Sequence, residues 1–275
     1  MNISKDYDKW NQWFAGFTDG DGSFCISRKE NSVSFEITTH VTDARVLGIV
    51  KNKLKAGTVK PRSGSKSVRY RVKQKAVILD IIKRLNGKLR NPARIAQFKQ
   101  VCAMHNVQYI EPPSLISKED GYLSGLIDSD GSFAMSVSNS SEADSQISGV
   151  EGKIIRLINA KGFSQISLKA TSSYKAYLDN IADSYNYGTV YREQANKKNR
   201  NPKDKHHWTI KSYEDFHLLY EYVKKNPLKT VKLHRMRLSL LYFKYKALNY
   251  HLKPAGTIES KVWAKFAKSW YKYSY

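Results

Sequence analysis

Across residues 8–17 the side chains of Trp10, Trp13, Phe14 and Phe17 repeat with the one-sided spacing of a helix. Asp19-Gly20-Asp21-Gly22 should end that helix, its two glycines supplying a permissive backbone for a cap and turn. Alternation then takes over. Residues 23–28 carry Phe24 and Ile26 at period two, and residues 33–38 alternate apolar with polar side chains. Both read as strands with one face on a core. Val46, Leu47, Val50 and Leu54 predict a helix over 43–54, and a second strand pair follows at 57–60 and 67–73. Residues 77–85 read as a helix, and Asn91 with Pro92 as the N-cap and first position of another that runs to about Met104.

After the break Glu111-Pro112-Pro113-Ser114 the same order starts again. Residues 13–24 read Trp-Phe-Ala-Gly-Phe-Thr-Asp-Gly-Asp-Gly-Ser-Phe, and residues 122–133 read Tyr-Leu-Ser-Gly-Leu-Ile-Asp-Ser-Asp-Gly-Ser-Phe. Asp21 and Asp130 lie 109 residues apart, so each stretch opens its own half. Ser117, with Asp120 three residues on, fits a cap for the second motif helix. Leu47 precedes Gly57-Thr58-Val59 by ten residues, and Leu178 precedes Gly188-Thr189-Val190 by ten. Residues 207–211 match 69–73, 216–223 match 77–85, and Thr230 stands where Asn91 does. The second half adds a Ser-rich insertion at 138–152 and a segment at 153–171 that predicts a hairpin turning at 159–162. It closes on a basic helix at 257–270 with Val262, Trp263, Phe266 and Trp270 on one side. Duplication with fusion follows: a first domain over 1–110, a linker over 111–118 and a second domain over 119–275.

Charge changes the picture from fold to partner. The 275 residues hold 47 Lys+Arg against 24 Asp+Glu, a net charge of +23, which points to a polyanion whose counterions are released on binding. No long apolar run exists, so a membrane partner is not expected. Two cysteines, Cys25 and Cys102, are too few for a four-ligand metal cluster and are expected to be reduced. The first eight residues carry two acids and no apolar stretch, unlike a secretory signal or an Arg-rich transit peptide.

Two fused copies arrange themselves about a pseudo-twofold axis. The small residues Ala15, Gly16, Ser124 and Gly125 would let the motif helices approach closely there, bringing Asp21 and Asp130 side by side. Two bare carboxylates so placed repel each other, and a divalent cation, Mg²⁺ above all, removes the conflict. The site then resembles a two-carboxylate clamp for phosphodiester displacement. The outward strand faces should carry Ser34, Glu36, Thr38, Lys60, Arg62, Arg69, Arg71 and Lys73 in the first half. The second half offers Gln165, Ser167, Lys169, Arg192 and Lys211, with Lys197 and Lys198 in a basic loop. A strand ribbon of this kind fits the DNA major groove.

Both motif stretches resemble the signature of the LAGLIDADG homing endonucleases in their single-chain, two-motif form. The resemblance implies an α+β fold of two pseudo-symmetric αββαββα units, with saddle-shaped antiparallel sheets lying on double-stranded DNA. It implies a monomer that makes a staggered double-strand cut and promotes intron mobility. Mg²⁺ would be held by the last acid of each motif, Asp21 and Asp130, with Mn²⁺ substituting and Ca²⁺ binding without cleavage. Asp19 and Asp128 would be structural. Relatives often carry Gln on a strand near the scissile phosphates, where this chain has Thr39 and Ala170. Lys232 is the candidate basic catalytic residue of the second half, and its first-half counterpart falls at Ala93 or Arg94. Family habit implies synthesis within a chloroplast or mitochondrion. Two other readings share these residues: an intron RNA maturase that binds its own intron, and a non-catalytic sequence-specific DNA-binding protein.

Overall fold

The computed structural model describes residues 3–137, 146–194 and 204–274. The first half runs α1 (Ile3–Asp21), β1 (Gly22–Ser27), β2 (Ser32–His40), α2 (Ala44–Leu54), β3 (Thr58–Pro61), β4 (Ser67–Val72), α3 (Lys75–Leu85) and α4 (Pro92–Met104). The second runs α5 (Tyr122–Asp130), β5 (Ser132–Val137), α6 (Gly149–Asn159), β6 (Ser164–Ser172), α7 (Lys175–Tyr185), β7 (Thr189–Glu193), β8 (Lys205–Ile210), α8 (Tyr213–Lys225), α9 (Lys232–Ala247) and α10 (Ile258–Trp270). The fold is α+β. Each half builds a four-stranded antiparallel sheet, in the order β1-β2-β4-β3 and β5-β6-β8-β7. No described helix is long and apolar enough to cross a membrane.

The period-two pattern does what it predicts. In β2 and β4 the buried Val33, Phe35, Ile37, Val68, Tyr70 and Val72 face the helices, where Phe35 meets Phe14 at 5.7 Å and Phe24 at 5.0 Å. Asn91 caps α4 by accepting the Ala93 amide at 3.1 Å, with Pro92 in the first turn. The linker is anchored: Ile116 is buried, and its amide donates to Ser184 Oγ at 2.9 Å.

Three expectations are corrected. The segment 153–171 is no hairpin. Residues 149–159 are helical, because Ile154, Leu157 and Ile158 follow a helical spacing, and only β6 is strand. Leu157 is fully buried, and its carbonyl takes the Trp263 indole N–H at 3.1 Å, so the inserted helix packs on the tail helix. Ser117 does not cap the second motif helix, which starts at Tyr122 and whose first amide donates to Asp120 Oδ1 at 2.8 Å. The motif glycines are not left-handed caps: Gly20, Gly22 and Gly131 all have negative φ. Side chains are excluded there by crowding, since a Cβ on Gly22 would meet the Thr18 Cα at 2.8 Å and one on Gly131 the Ile127 oxygen at 2.5 Å.

Candidate active site

The helices α1 and α5 cross backbone to backbone. A Cβ on Gly16 would overlap the Tyr122 carbonyl oxygen, and one on Gly125 would overlap that of Trp13. Ala15 and Ser124 are buried beside them. The reciprocity of those two contacts is the pseudo-twofold axis seen in side-chain detail.

From that crossing the inner acids reach outward. Asp19 Oδ2 accepts the amides of Arg90 (2.6 Å) and Asn91 (3.1 Å), so it ties α1 to the start of α4. Asp128 does the same for α9, accepting the amides of Lys229 (2.7 Å) and Thr230 (3.1 Å) and the Thr230 hydroxyl (2.5 Å). Each also takes a donor from the opposite motif helix: the Tyr122 hydroxyl reaches Asp19 at 2.6 Å, and the Trp13 indole reaches Asp128 at 2.9 Å. Burial pushes Asp19 up to about 7 and also raises Asp128, against the pull of these hydrogen bonds.

The outer acids end the same two helices, where the dipoles present negative charge. A Cβ on Gly20, next to Asp21, would lie 3.0 Å from the Asp130 carboxyl carbon. Burial first, then the Asp130 charge, pushes Asp21 up to about 7, while Lys232 and Arg94 pull it down. Asp130 is raised by burial and lowered by the same two cations. Asp21 is half-buried and Asp130 reaches solvent, so this carboxylate pair at two negative helix ends is a donor set that a divalent cation could reach and relieve. No group of three or more His, Cys, Asp or Glu able to hold a metal forms among the described residues. Asp21 and Asp130 would therefore leave the other ligand positions to water and phosphate oxygens, as Mg²⁺ prefers.

Lys232 stands in this site with its protons committed. Its Nζ donates to the carbonyls of Ile127 (3.0 Å), Asp128 (2.9 Å) and Ser129 (2.6 Å), closing the end of α5. Burial lowers its pKa, and the nearby carboxylates of Asp21, Asp43, Asp128 and Asp130 oppose that. In the first half the cation is Arg94, not Ala93: its charge reaches Asp19, Asp130 and Asp21 while Nη1 donates to Gln97 at 2.7 Å. Sequence alignment on the caps would choose Ala93, and only the length of the arginine side chain closes the gap. Asp43 was not among the expected site residues. It is buried, accepts the Val231 amide at 3.0 Å across the two halves, and its charge reaches Asp21 and Lys232. No sequence signal marks it, because the contact joins residues 188 apart.

Register sorts the expected strand residues. Ser34, Glu36 and Thr38 share one face with Arg69, Arg71 and Lys60, and Glu36 is clasped by Arg69 at 3.1 Å and Arg71 at 2.7 Å. Arg62 and Lys73 lie just past the strand ends, both exposed. Gln165, Ser167 and Lys169 share the corresponding face of the second sheet, with the exposed Lys211 one residue beyond β8. Ser34 and Ser167 are only 4% and 5% exposed, small side chains covered by their neighbours. Arg192 is a correction: it pairs with His206, whereas Tyr191 pairs with His207 and so shares the face of Thr171 and Lys169. Arg192 therefore points to the other face of the sheet and bonds Asp204. Lys197 and Lys198 fall outside the described residues.

The family model described as LAGLIDADG endonuclease matches residues 14–105 and again residues 123–240. A probable intron-encoded endonuclease aI2 of Debaryomyces hansenii is 31% identical over 266 residues, 96% of this chain and 38% of its own length. The intron-encoded RNA maturase bI4 of Saccharomyces cerevisiae is 32% identical over 271 residues, 98% of this chain and again 38% of its own length. The chain thus spans well under half of these two relatives. The crystal structure of the I-LtrWI LAGLIDADG homing endonuclease bound to target DNA matches with a TM-score of 0.68 at 16% identity, covering 97% of this chain and 98% of that one.

Proposed function

The chain belongs to the LAGLIDADG endonuclease family, and from that premise we propose that it is a site-specific homing endonuclease that cuts both strands of a long DNA target. The observation that carries this is the pair Asp21 and Asp130, both intact and side by side at the ends of the crossed motif helices, Asp21 half-buried and Asp130 open to solvent. Two sheets flank that pair, each offering an open polar and basic face, and the solved relative bound to target DNA has the same fold.

In this reading Glu36, Arg69 and Arg71 on one sheet and Gln165 and Lys169 on the other seat the duplex. The Glu36 bonds to Arg69 and Arg71 fix those three side chains before DNA arrives, which lowers the ordering cost of binding. Asp21 and Asp130 would hold Mg²⁺, which would supply Lewis acidity for the scissile phosphodiester and lower the pKa of a water so that it loses a proton and becomes a nucleophile. Mn²⁺ substitutes, and Ca²⁺ binds without cleavage. Arg94 is the cation with freedom to meet developing negative charge, and Lys232 fixes the end of α5 so that Asp130 stays in place. The protein works as a monomer, its second active half being part of the same chain.

The maturase named among the relatives supports a second role on intron RNA. An intron reading frame within an organelle is the proposed source, and the nucleotide flanks of the gene would check it. The deciding experiment incubates the purified chain with a randomised duplex library in Mg²⁺ and in Ca²⁺. Expected are discrete cut products in Mg²⁺ and retention without cutting in Ca²⁺. No cutting with any divalent metal, together with tight binding of the surrounding intron RNA, would overturn the nuclease reading in favour of the maturase.

A further inference from the structure

The positive charge of the chain is unevenly laid out. Residues 1–110 hold 21 Lys+Arg against 8 acids, and residues 111–228, which include the second sheet, hold 15 of each. Residues 229–275 then hold 11 Lys+Arg against the single acid Glu259. The whole positive excess of the second half therefore lies in α9, α10 and the turns beside them, not in the strands. Among the described residues the first half has no counterpart of α10, and the family match ends at residue 240, before α10 begins.

α10 divides its surface between packing and charge. Trp263, Phe266, Ala267 and Trp270 are buried. The Trp263 indole bonds α6, and the Phe266 ring lies 6.2 Å from that of Tyr242 on α9. Tyr242 in turn meets Ser164 at 3.2 Å, on the helix-covered face of the second sheet. On the other side of α10, Lys261, Lys265 and Lys268 are all exposed. Spacings of four and three keep them within about 60° of one another around the helix. Lys272, exposed in the turn that follows, extends the row to roughly 16 Å. The row faces away from α9 and from the sheet behind it.

An ordinary solvated helix face mixes signs, as two other helices of the same half do. On α7 Lys175 meets Asp179 at 2.7 Å, and on α8 Lys224 meets Glu221 at 2.6 Å. No ion pair of the described residues includes Lys261, Lys265, Lys268 or Lys272. Like charges three and four residues apart repel, and a polyanion laid along the row would reverse that repulsion.

We propose that the lysine row of α10 holds the phosphate backbone of a folded RNA. The proposal rests on the second role proposed for the chain, on RNA, and gives that role a surface. Lysine is a point charge without the planar fork of arginine, so a row of lysines grips phosphates without selecting sequence. Folded RNA suits such a contact, because its double-helical parts are recognised by shape and through phosphates and 2′-hydroxyls. Duplex DNA seats on the open strand faces, on the far side of the second sheet from α9 and α10. An anionic membrane fits less well, because the apolar face of α10 is already buried and leaves nothing to insert.

The test compares the full chain with a variant carrying Lys261→Gln, Lys265→Gln, Lys268→Gln and Lys272→Gln. Glutamine keeps the helix propensity of lysine, and an unchanged urea midpoint checks the fold. Affinity is measured over a salt series for an RNA hairpin, a DNA duplex of the same sequence and phosphatidylserine vesicles. The variant should bind the hairpin at least about tenfold more weakly, with a salt slope smaller by about three. Its duplex affinity and plasmid cutting should stay unchanged. The single Lys265→Glu, which reverses one charge, should act in the same direction with a smaller effect. Unchanged hairpin affinity in the variant, an equal loss for hairpin and duplex, or a loss confined to the vesicles would overturn the proposal. Hairpin binding that survives the substitutions leaves an RNA role on other residues, whereas no RNA binding by the unaltered chain overturns both. A chain that needs the row for RNA but cuts no plasmid loses the nuclease reading alone.

Discussion

Asp19 and Asp128 occupy matching positions at the ends of α1 and α5, yet their surroundings differ. Asp128 spreads four donors over both carboxylate oxygens. Asp19 takes three donors, all on Oδ2, and its buried Oδ1 has no partner. The cations beside them follow the same division. Lys232 is bound to three backbone carbonyls, while Arg94 holds one glutamine and keeps a buried Nε without a partner. The second half is the locked half of the site, and the first half retains an adjustable cation. Fusion of the copies allowed one side to drift toward rigidity without the other.

The comparison can be broken at several points. The largest effect should come from the acids both halves share. Asp21→Asn or Asp130→Asn should slow double-strand cutting by about a thousandfold or more, measured as plasmid linearisation, with binding retained. Full linearisation by either variant would remove that acid from the mechanism. Next is the helix crossing. Gly16→Ala and Gly125→Ala each drive a methyl into the opposite backbone, and each should cost about 3 kcal/mol in urea unfolding. A clear inequality between the two would show that the axis is not a packing symmetry.

The cations should separate stability from rate. Lys232→Met strips three carbonyls of their donor and should cost about 1–3 kcal/mol of stability. Arg94→Met should leave the urea midpoint nearly unchanged and slow cutting at least about tenfold. The opposite pattern would reverse the assignment of locked and adjustable sides. A pH series gives a smaller signal. Asp19 and Asp21 are raised from 3.8 to about 7 on folding, so the folded state holds their protons more tightly. Metal-free stability should therefore be greatest on the acid side and fall as pH rises from about 4 through about 7. Asp21→Asn should reduce that slope in thermal melts, leaving the share of Asp19; an unchanged slope would mean that Asp21 does not hold its proton more tightly in the folded state. Smallest of all, Lys60→Ala should lower DNA affinity similarly across sequences and reduce the salt slope by about one. A sequence-dependent loss would make Lys60 a base contact.

Much of the fold was legible because each element repeats one period and each half repeats the other. The motif helix shows in Trp10, Trp13, Phe14 and Phe17, and β2 shows in Val33, Phe35 and Ile37. The segment 153–171 misled for a physical reason. Its helix has Leu157 fully buried with Ile154 and Ile158 half-buried, because the covering surface comes from α10, a hundred residues away. A short helix whose core lies so far along the chain looks like weak alternation. Arg192 failed on parity: β7 lies where the repeat puts it, but Tyr191 is the counterpart of Lys60, and one residue further along a strand lies on the other face.

The sequence by itself determined the duplication, the α+β order, the family and the pair of terminal acids, since these rest on local periodicity and on identity between two stretches. Tertiary structure decided the rest. It made Arg94 rather than Ala93 the first-half cation and Lys232 a plug for α5. It also recruited Asp43 from the far half. Each of these depends on which atoms meet across the helix crossing, and distance in space at that crossing bears no relation to distance along the chain.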